Sequence, residues 1–419
     1  METKSGLKIL AVLVGGTLVL TGCSIGSSSS SKEKTPITIG VLAPLTGGSA
    51  ADGAAMKQGA ELAVKEINAD GGVAGYTFDV KATDTQDLKA DLVAAGAQSF
   101  ISDSKVKLVV TAYASADNFE IDAFAKANMP YMVAANSDQT RDIIKKDPTK
   151  YPTIWSLAPD YAPFGTELPK VIEKWNTEGK LKLRDKSAFI ITSDNPFSVG
   201  ISNGLRKTLI ARGWKIVGDQ TVPYGTVNDW GSILSKVRKA NPDLIINTDY
   251  IPSNEATFMR QFRANPTNSL IFLQYGPAIP EFLTLTKNDS NGVLYNLLGD
   301  PITSAKYQLA QDEIKKVRDA FGADVSLVSI QTYEMVKMYA AALKKIGDPD
   351  KKLEIGKEIG SMTWPSAAGS LVFDQSTHLV KSGDDFVPLQ FLQIRDGKRI
   401  QLLPEKYSTG AFVLPDWFK

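Results

Sequence analysis

The stretch ITIGVLAPLTGGSAADGAAMKQGAELAVKEINADGGVAG, residues 37–75, is one complete strand–turn–helix–turn unit. Ile37 to Leu42 is a β-rich apolar run, ended by Ala43-Pro44-Leu45-Thr46-Gly47-Gly48. From Gly53 to Asn68, Met56, Ala60, Ala63, Val64 and Ile67 recur at helical spacing and mark one apolar face. Asp70-Gly71-Gly72-Val73-Ala74-Gly75 stops the helix, because glycine takes positive φ without steric cost.

The same rhythm continues outward. Tyr76–Lys81, Lys107–Thr111 and Met129–Ala134 read as strands, with Leu88–Ile101 and Ser115–Asn128 as helices between them. A second series starts in the middle of the chain. Ser187–Thr192, Lys215–Val222, Asp243–Thr248 and Leu270–Gln274 are strands, separated by helices over Ser198–Arg212, Asp229–Ala240 and Ser253–Ala264. Ser304–Phe321 and Ser329–Ile346 are long helical patterns. Gly369–Asp374, Val387–Arg395 and Lys398–Leu403 are short strands around turns such as Asp396-Gly397. Strands alternating with helices of this length form parallel βαβ units, so the fold class is α/β with two doubly wound parallel-sheet lobes.

Composition narrows the function. With 43% hydrophobic and 22% charged residues, the chain is ordinary for a soluble globular protein. The stretch beyond residue 22 is long for one core and suits two domains. Setting residues 1–22 aside removes Glu2, Lys4 and Lys8 and takes the formal charge from +1 to zero, which argues against nucleic acid as a partner. One histidine, His378, and one cysteine, Cys23, leave little material for a histidine-based active site or a metal cluster, and no cofactor is expected. No Gly-x-x-x-x-Gly-Lys-Ser/Thr phosphate loop is present. Paired carboxylates such as Asp84 and Asp87 would be needed for an extracellular hydrolase, though acids three apart commonly belong to a solvated turn or a cap.

The beginning of the chain speaks to location. Lys4 and Lys8 precede an apolar run from Ile9 to Leu20, too short to span a bilayer comfortably, and Leu20-Thr21-Gly22-Cys23 follows. These residues resemble the lipobox of bacterial lipoproteins. The resemblance implies a signal peptide over 1–22, lipidation of Cys23, and attachment to the extracytoplasmic face of the cell membrane. Ser27–Ser31 and Lys32-Glu33-Lys34 fall in a polar tether, 23–35, too poor in apolar residues to pack.

Residues 37–75, with DTQ at 84–86, NMPYMVAANS at 128–137, WSLAPD at 155–160, NPDLIINTDY at 241–250 and GSLVFD at 369–374, closely resemble ABC-transporter solute-binding proteins of the branched-chain amino acid type. The matches run in family order over nearly all of the chain beyond the leader. The resemblance implies a type I periplasmic binding fold of two lobes joined by three crossovers, near Ser156, Gly299 and Gly369. Lobe 1 is expected over 36–156 plus 299–368 and lobe 2 over 157–298 plus 369–419, so neither should fold well alone. It implies a non-enzymatic protein that captures a small-molecule ligand between the lobes and passes it to an ABC permease driven by a partner ATPase. A ligand sensor of the same fold, signalling to a receptor or regulator, is the alternative.

In an open α/β sheet ligands sit where strand carboxyl ends lead into helix N-termini, whose backbone N–H groups bind carboxylates without a formal charge. Carried over by position, the resemblance makes Ser115, Ala135 and Ser137 carboxylate contacts, although Ser115 equally suits the role of capping its own helix. Tyr250 matches an aromatic ligand contact or packs on the lobe surface. Phe197 stands where relatives often have tyrosine. Trp155 is expected to pack near the hinge. Amino-acid-binding relatives place an acid near Tyr275 to pair with the ligand ammonium, and here the next acid is Glu281. With Tyr113, Phe197, Tyr250 and Tyr275 close by, an amino acid, another small carboxylate or an amide all remain open as ligands.

Overall fold

The structure, a computed structural model, describes residues 36–323 and 325–418. The expected leader, lipidated Cys23 and the whole of the tether lie outside the described residues. Five parallel strands, β1 (Ile37–Ala43), β2 (Phe78–Asp84), β3 (Val106–Thr111), β4 (Tyr131–Val133) and β5 (Ile154–Ser156), form the first sheet in the order β2-β1-β3-β4-β5. β1 lies between β2 and β3 and every residue of it is buried, which accounts for its largely apolar sequence. Helices α1 (Ala50–Ala69), α2 (Ala90–Ser102), α3 (Glu120–Lys126) and α4 (Ser137–Ile144) follow the first four strands in turn.

α3 is much shorter than the expected helix over 115–128. Asn118 is the cause: its φ is 56°, outside the right-handed helical region, and its side chain donates to the carbonyls of Ala135 and Asn136 and to Thr140 Oγ1. Residues 112–119 are therefore a loop tied to the next connection.

After α5 (Ala162–Thr177), the second sheet opens with β6 (Ser187–Ser193), β7 (Lys215–Val222), β8 (Leu244–Asn247), β9 (Leu270–Leu273) and β10 (Leu294–Leu297). Their order, β7-β6-β8-β9-β10, repeats that of the first sheet, with α6 (Pro196–Ala211), α7 (Gly231–Ala240), α8 (Pro252–Arg263) and α9 (Pro280–Thr286) between strands. α5 escaped the sequence reading because Pro163 opens it and Pro169 interrupts it.

The chain then runs through α10 (Gln308–Phe321), α11 (Val328–Ile346) and α12 (Lys352–Ser361) into a two-stranded hairpin, β11 (Thr363–Ser366) and β12 (Gly369–Val372). α11 packs directly on α1 of the first sheet. A Cβ on Gly59 would lie 1.9 Å from the Ser329 carbonyl oxygen, and Thr332 Oγ1 donates to the Met56 carbonyl at 2.8 Å. β13 (Gln390–Arg395) and β14 (Lys398–Leu403) return to the second sheet. They extend it beyond β10 as an antiparallel hairpin, so this sheet is mixed. Asp396 and Gly397, at φ 49° and 67°, make the tight turn that its twist favours.

The polypeptide thus passes three times between the sheets, and the passages lie side by side. Ser156 N–H donates to the His378 carbonyl and its own carbonyl accepts from Val380 N–H, while Gly299 rests against Leu157–Pro159. His378 stacks on Trp155 with ring centroids 4.2 Å apart, and the Trp155 indole donates to the Gly356 carbonyl.

Candidate functional site

In both sheets the winding direction reverses beside the first strand of the series, between β1 and β3 and between β6 and β8. Loops diverge at such points and leave a crevice at the strand carboxyl ends. The two crevices meet at one cavity of about 80 Å³. Leu88 after β2, Tyr113 after β3 and Ala135 with Asn136 after β4 line it from the first sheet. Phe197 after β6, Tyr250 after β8, Tyr275 after β9 and Asp300 after β10 line it from the second.

Tyr113, Ala135, Phe197, Tyr250 and Tyr275 are therefore brought together. Ser115 and Ser137 are not among the lining residues. Ser115 Oγ accepts from Asn118 N–H at 2.8 Å and donates to buried Glu120 at 2.6 Å, so it organises the loop and caps no helix. Ser137, the first residue of α4, is fully buried, and its hydroxyl has no hydrogen-bond partner. Asn136 precedes it at φ 51° and donates to the Ser115 carbonyl, which binds the two loops together.

The far wall is aromatic. Phe197 meets Tyr250 edge-on at 5.6 Å and Tyr161 edge-on at 5.5 Å, while Tyr161 tilts over Phe164 at 5.2 Å. The Tyr250 hydroxyl donates to Tyr224 at 3.0 Å, fixing the ring. Such edge-to-face pairs are individually modest but hold a rigid apolar surface.

Tyr275 is the centre of a tight three-residue turn, at φ 67° and ψ −50°, closed by Gly276 N–H donating to the Gln274 carbonyl at 2.8 Å. A non-glycine residue in that region costs on the order of 1–3 kcal/mol, which the surroundings must offset. Gly276 cannot carry a side chain here, since a Cβ would fall 2.0 Å from Glu255 Oε2. The strain projects the Tyr275 ring into the cavity and its hydroxyl towards Asp52.

Two acids stand at the site that distance along the sequence concealed. Asp52, in the first turn of α1, accepts from Ser326 Oγ at 2.6 Å, the Tyr113 hydroxyl at 2.8 Å and the Tyr275 hydroxyl at 3.4 Å. Burial raises its pKa despite those donors. Burial and the Asp52 charge push both tyrosine hydroxyls well above their ordinary range, so they remain donors. Asp300 differs from Asp52 in having no partner. No side chain or backbone group among the described residues donates to its carboxylate, and burial, reinforced by Asp52, raises its pKa to about 7. Among the residues lining the cavity there is no Lys, Arg or His. No strand end in the sequence pattern marks Asp300, because it lies three residues after β10 and Leu294–Leu297 is not among the expected strands.

Asp84 and Asp87 serve the backbone. Asp84 accepts from the N–H groups of Leu45, Thr46 and Gln86 and from Thr46 Oγ1, and Asp87 accepts from Gly48 and Ser49 N–H. Burial would raise the Asp84 pKa, but these donors outweigh it and hold the carboxyl below its usual range. The pair clamps the loop that delivers Asp52.

The profile of the periplasmic binding protein family matches residues 36–398. The chain belongs to that family. Among its relatives is the Leu/Ile/Val-binding protein BraC3 of Rhizobium johnstonii, 23% identical over 350 residues that cover 82% of this chain and 89% of the relative. A branched-chain amino acid transporter structure from Silicibacter pomeroyi superposes with a TM-score of 0.80 at 27% identity, covering 91% of this chain and all of that one. A solute-binding protein from R. palustris in complex with benzoate superposes with a TM-score of 0.71 at 16% identity, covering 91% and all of the two chains. The family is one of extracytoplasmic solute-binding proteins of ABC transporters, with two α/β lobes. Among the described residues no helix of this member is long and apolar enough to cross a membrane, and no group of metal-ligating side chains is found.

Proposed function

We propose that this binding protein captures an apolar α-amino acid in the cavity between the two strand-end crevices and delivers it to an ABC permease. The observation that carries the reading is the partnerless carboxylate of Asp300 in a cavity without basic residues. A buried carboxylate with no donor is costly, and a ligand ammonium relieves that cost while gaining a counter-charge. The loop into the start of α4, where Ala135 and Asn136 line the cavity, is the natural receiver of the ligand carboxylate. The aromatic wall from Phe197 to Tyr161 takes the side chain. The naming of BraC3 as a Leu/Ile/Val-binding protein agrees with this assignment. Benzoate, bound by the R. palustris protein, has no ammonium and would set its carboxylate in a cavity that already holds Asp300.

In this reading lobe 1, residues 36–156 and 299–368, and lobe 2, residues 157–298 and 369–419, close over the solute by hinge motion at the adjacent crossovers. Residues 1–22 are a signal peptide, and lipidation of Cys23 holds the protein at the membrane. A thermal-shift screen of the ligand-stripped protein with amino acids, carboxylates, amides and polyols tests the ligand class. Apolar amino acids should raise the melting temperature most, and a response confined to ammonium-free solutes would refute the assignment. Cys23→Ala should release the protein from the membrane fraction; retention there would refute the anchor.

A further inference from the structure

Behind Tyr275 lies a second cavity that the amino acid reading does not use. At about 270 Å³ it is larger than the first, and the two share Tyr275, Asp300 and Val328 as walls. Three cationic side chains line it, Arg318 from α10 and Lys398 and Arg399 from β14, against the single carboxylate of Asp300. Among the described residues none of the three has an ion-pair partner. Arg318 and Lys398 are exposed, and Arg399 is partly buried. Arg399 Nε donates to the Pro277 carbonyl at 2.8 Å, while its Nη2 is buried without a partner. The Tyr295 hydroxyl, on the same lining, is buried beside the Arg399 guanidinium without forming a hydrogen bond of good geometry.

A buried guanidinium is normally matched by a carboxylate, because an unpaired charge away from water is strongly unfavourable. Here the arrangement is the reverse. Burial lowers the Arg399 pKa and the charge of the nearby Arg318 adds to this, against an opposing effect of Tyr295. Two guanidinium groups that line one cavity within electrostatic reach of each other are complementary to an oxyanion.

We propose that this second cavity is a carboxylate-binding subsite in which Arg399 and Arg318 together hold the anion. The inference goes beyond the ammonium reading and does not depend on it. The carboxylate comes either from a free small acid or from the tail of a solute whose head lies in the first cavity, since the cavities share walls.

Isothermal titration of the full ligand-stripped chain with succinate, at constant ionic strength in chloride, tests the subsite. Saturable binding is expected, weakened at least tenfold by Arg399→Gln and by Arg318→Gln. Arg318→Gln replaces an exposed side chain and should fold normally, and Arg399→Lys should restore part of the affinity if Arg399→Gln disturbs the β14 wall. Succinate binding that persists with leucine bound identifies a free acid as the occupant. A longer amino diacid such as 2-aminoadipate that loses affinity through both Arg399→Gln and Asp300→Asn identifies a solute tail. Absence of saturable binding by both probes, or binding indifferent to both arginine substitutions, overturns the proposal. Failure of the ammonium reading would show instead in Asp300→Asn alone, with leucine as probe.

Discussion

Tyr275, carried by the second sheet, donates its hydroxyl to Asp52, carried by the first, across 3.4 Å. Asp52 also receives Tyr113 from its own sheet and Ser326 from the segment leading into α11, so one buried carboxylate gathers the walls of the cavity. Asp52→Asn replaces an acceptor oxygen with a donor facing a hydroxyl donor. It should cost about 1–3 kcal/mol in urea unfolding, the usual penalty for leaving buried polar groups mismatched. An unchanged midpoint and slope would show that the three hydroxyls are satisfied elsewhere.

Solute affinity should depend on pH through Asp300. Its pKa of about 7 in the empty site means that the carboxyl is substantially protonated below neutrality. A ligand ammonium pairs with the ionised form and lowers that pKa, so binding releases a proton at acidic pH. Affinity should be flat above pH 7 and fall by about tenfold per unit well below it. Asp300→Asn should be weak and free of this slope. Titration calorimetry in two buffers of different ionisation enthalpy measures the proton release directly.

The single histidine gives an acid-labile contribution to folding. Burial lowers the pKa of His378 below 6.5, while its ring stacks on Trp155 and Nδ1 contacts the Ile154 carbonyl at 3.0 Å. The unfolded imidazole takes up a proton near pH 6.5 and the folded one resists it. Its contribution is therefore present above pH 6.5 and lost as pH falls towards the lower folded value. Between pH 6.5 and 5, wild type should lose more stability than His378→Gln does; parallel curves would place the titration elsewhere.

Glycines separate two kinds of helix contact. Gly59→Ala would set a methyl group against the Ser329 carbonyl, pushing α11 from α1 and moving Val328 and Gln331 in the cavity wall. A loss of about 1–3 kcal/mol and weaker solute binding should follow. On α6, a Cβ at Gly200 meets only Asp138 Oδ2 at 3.8 Å. Gly200→Ala should stabilise the protein by about 0.5–1 kcal/mol. Thermal and urea midpoints moving in the same direction for both variants would contradict the packing described.

The sequence made the βαβ order readable because buried parallel strands such as β1 are largely apolar and most of the helices keep a periodic face. Lys215–Val222 and Lys398–Leu403 fall where they are expected. α5 was hidden by its prolines, and α3 was overextended because nothing local announces that the Asn118 side chain is committed to Ala135, Asn136 and Thr140. The cavity followed the same division. Tyr113, Phe197, Tyr250 and Tyr275 were readable as residues just past strand ends. Asp52, 223 positions from Tyr275 along the chain, reaches it only because two sheets face each other. Asp300 stayed hidden together with β10, a four-residue strand whose apolar run is broken by Asn296.

The most direct test is calorimetric binding of leucine and of 4-methylpentanoate, its analogue without the amino group, to ligand-stripped wild type and Asp300→Asn. Wild type should bind leucine and discriminate against 4-methylpentanoate by at least about a hundredfold, in line with an unpaired buried carboxylate costing several kcal/mol. In Asp300→Asn that discrimination should collapse, mainly through loss of leucine affinity. Equal or tighter binding of 4-methylpentanoate by wild type, or undiminished discrimination in Asp300→Asn, would contradict the assignment of Asp300 as the partner of the ligand ammonium.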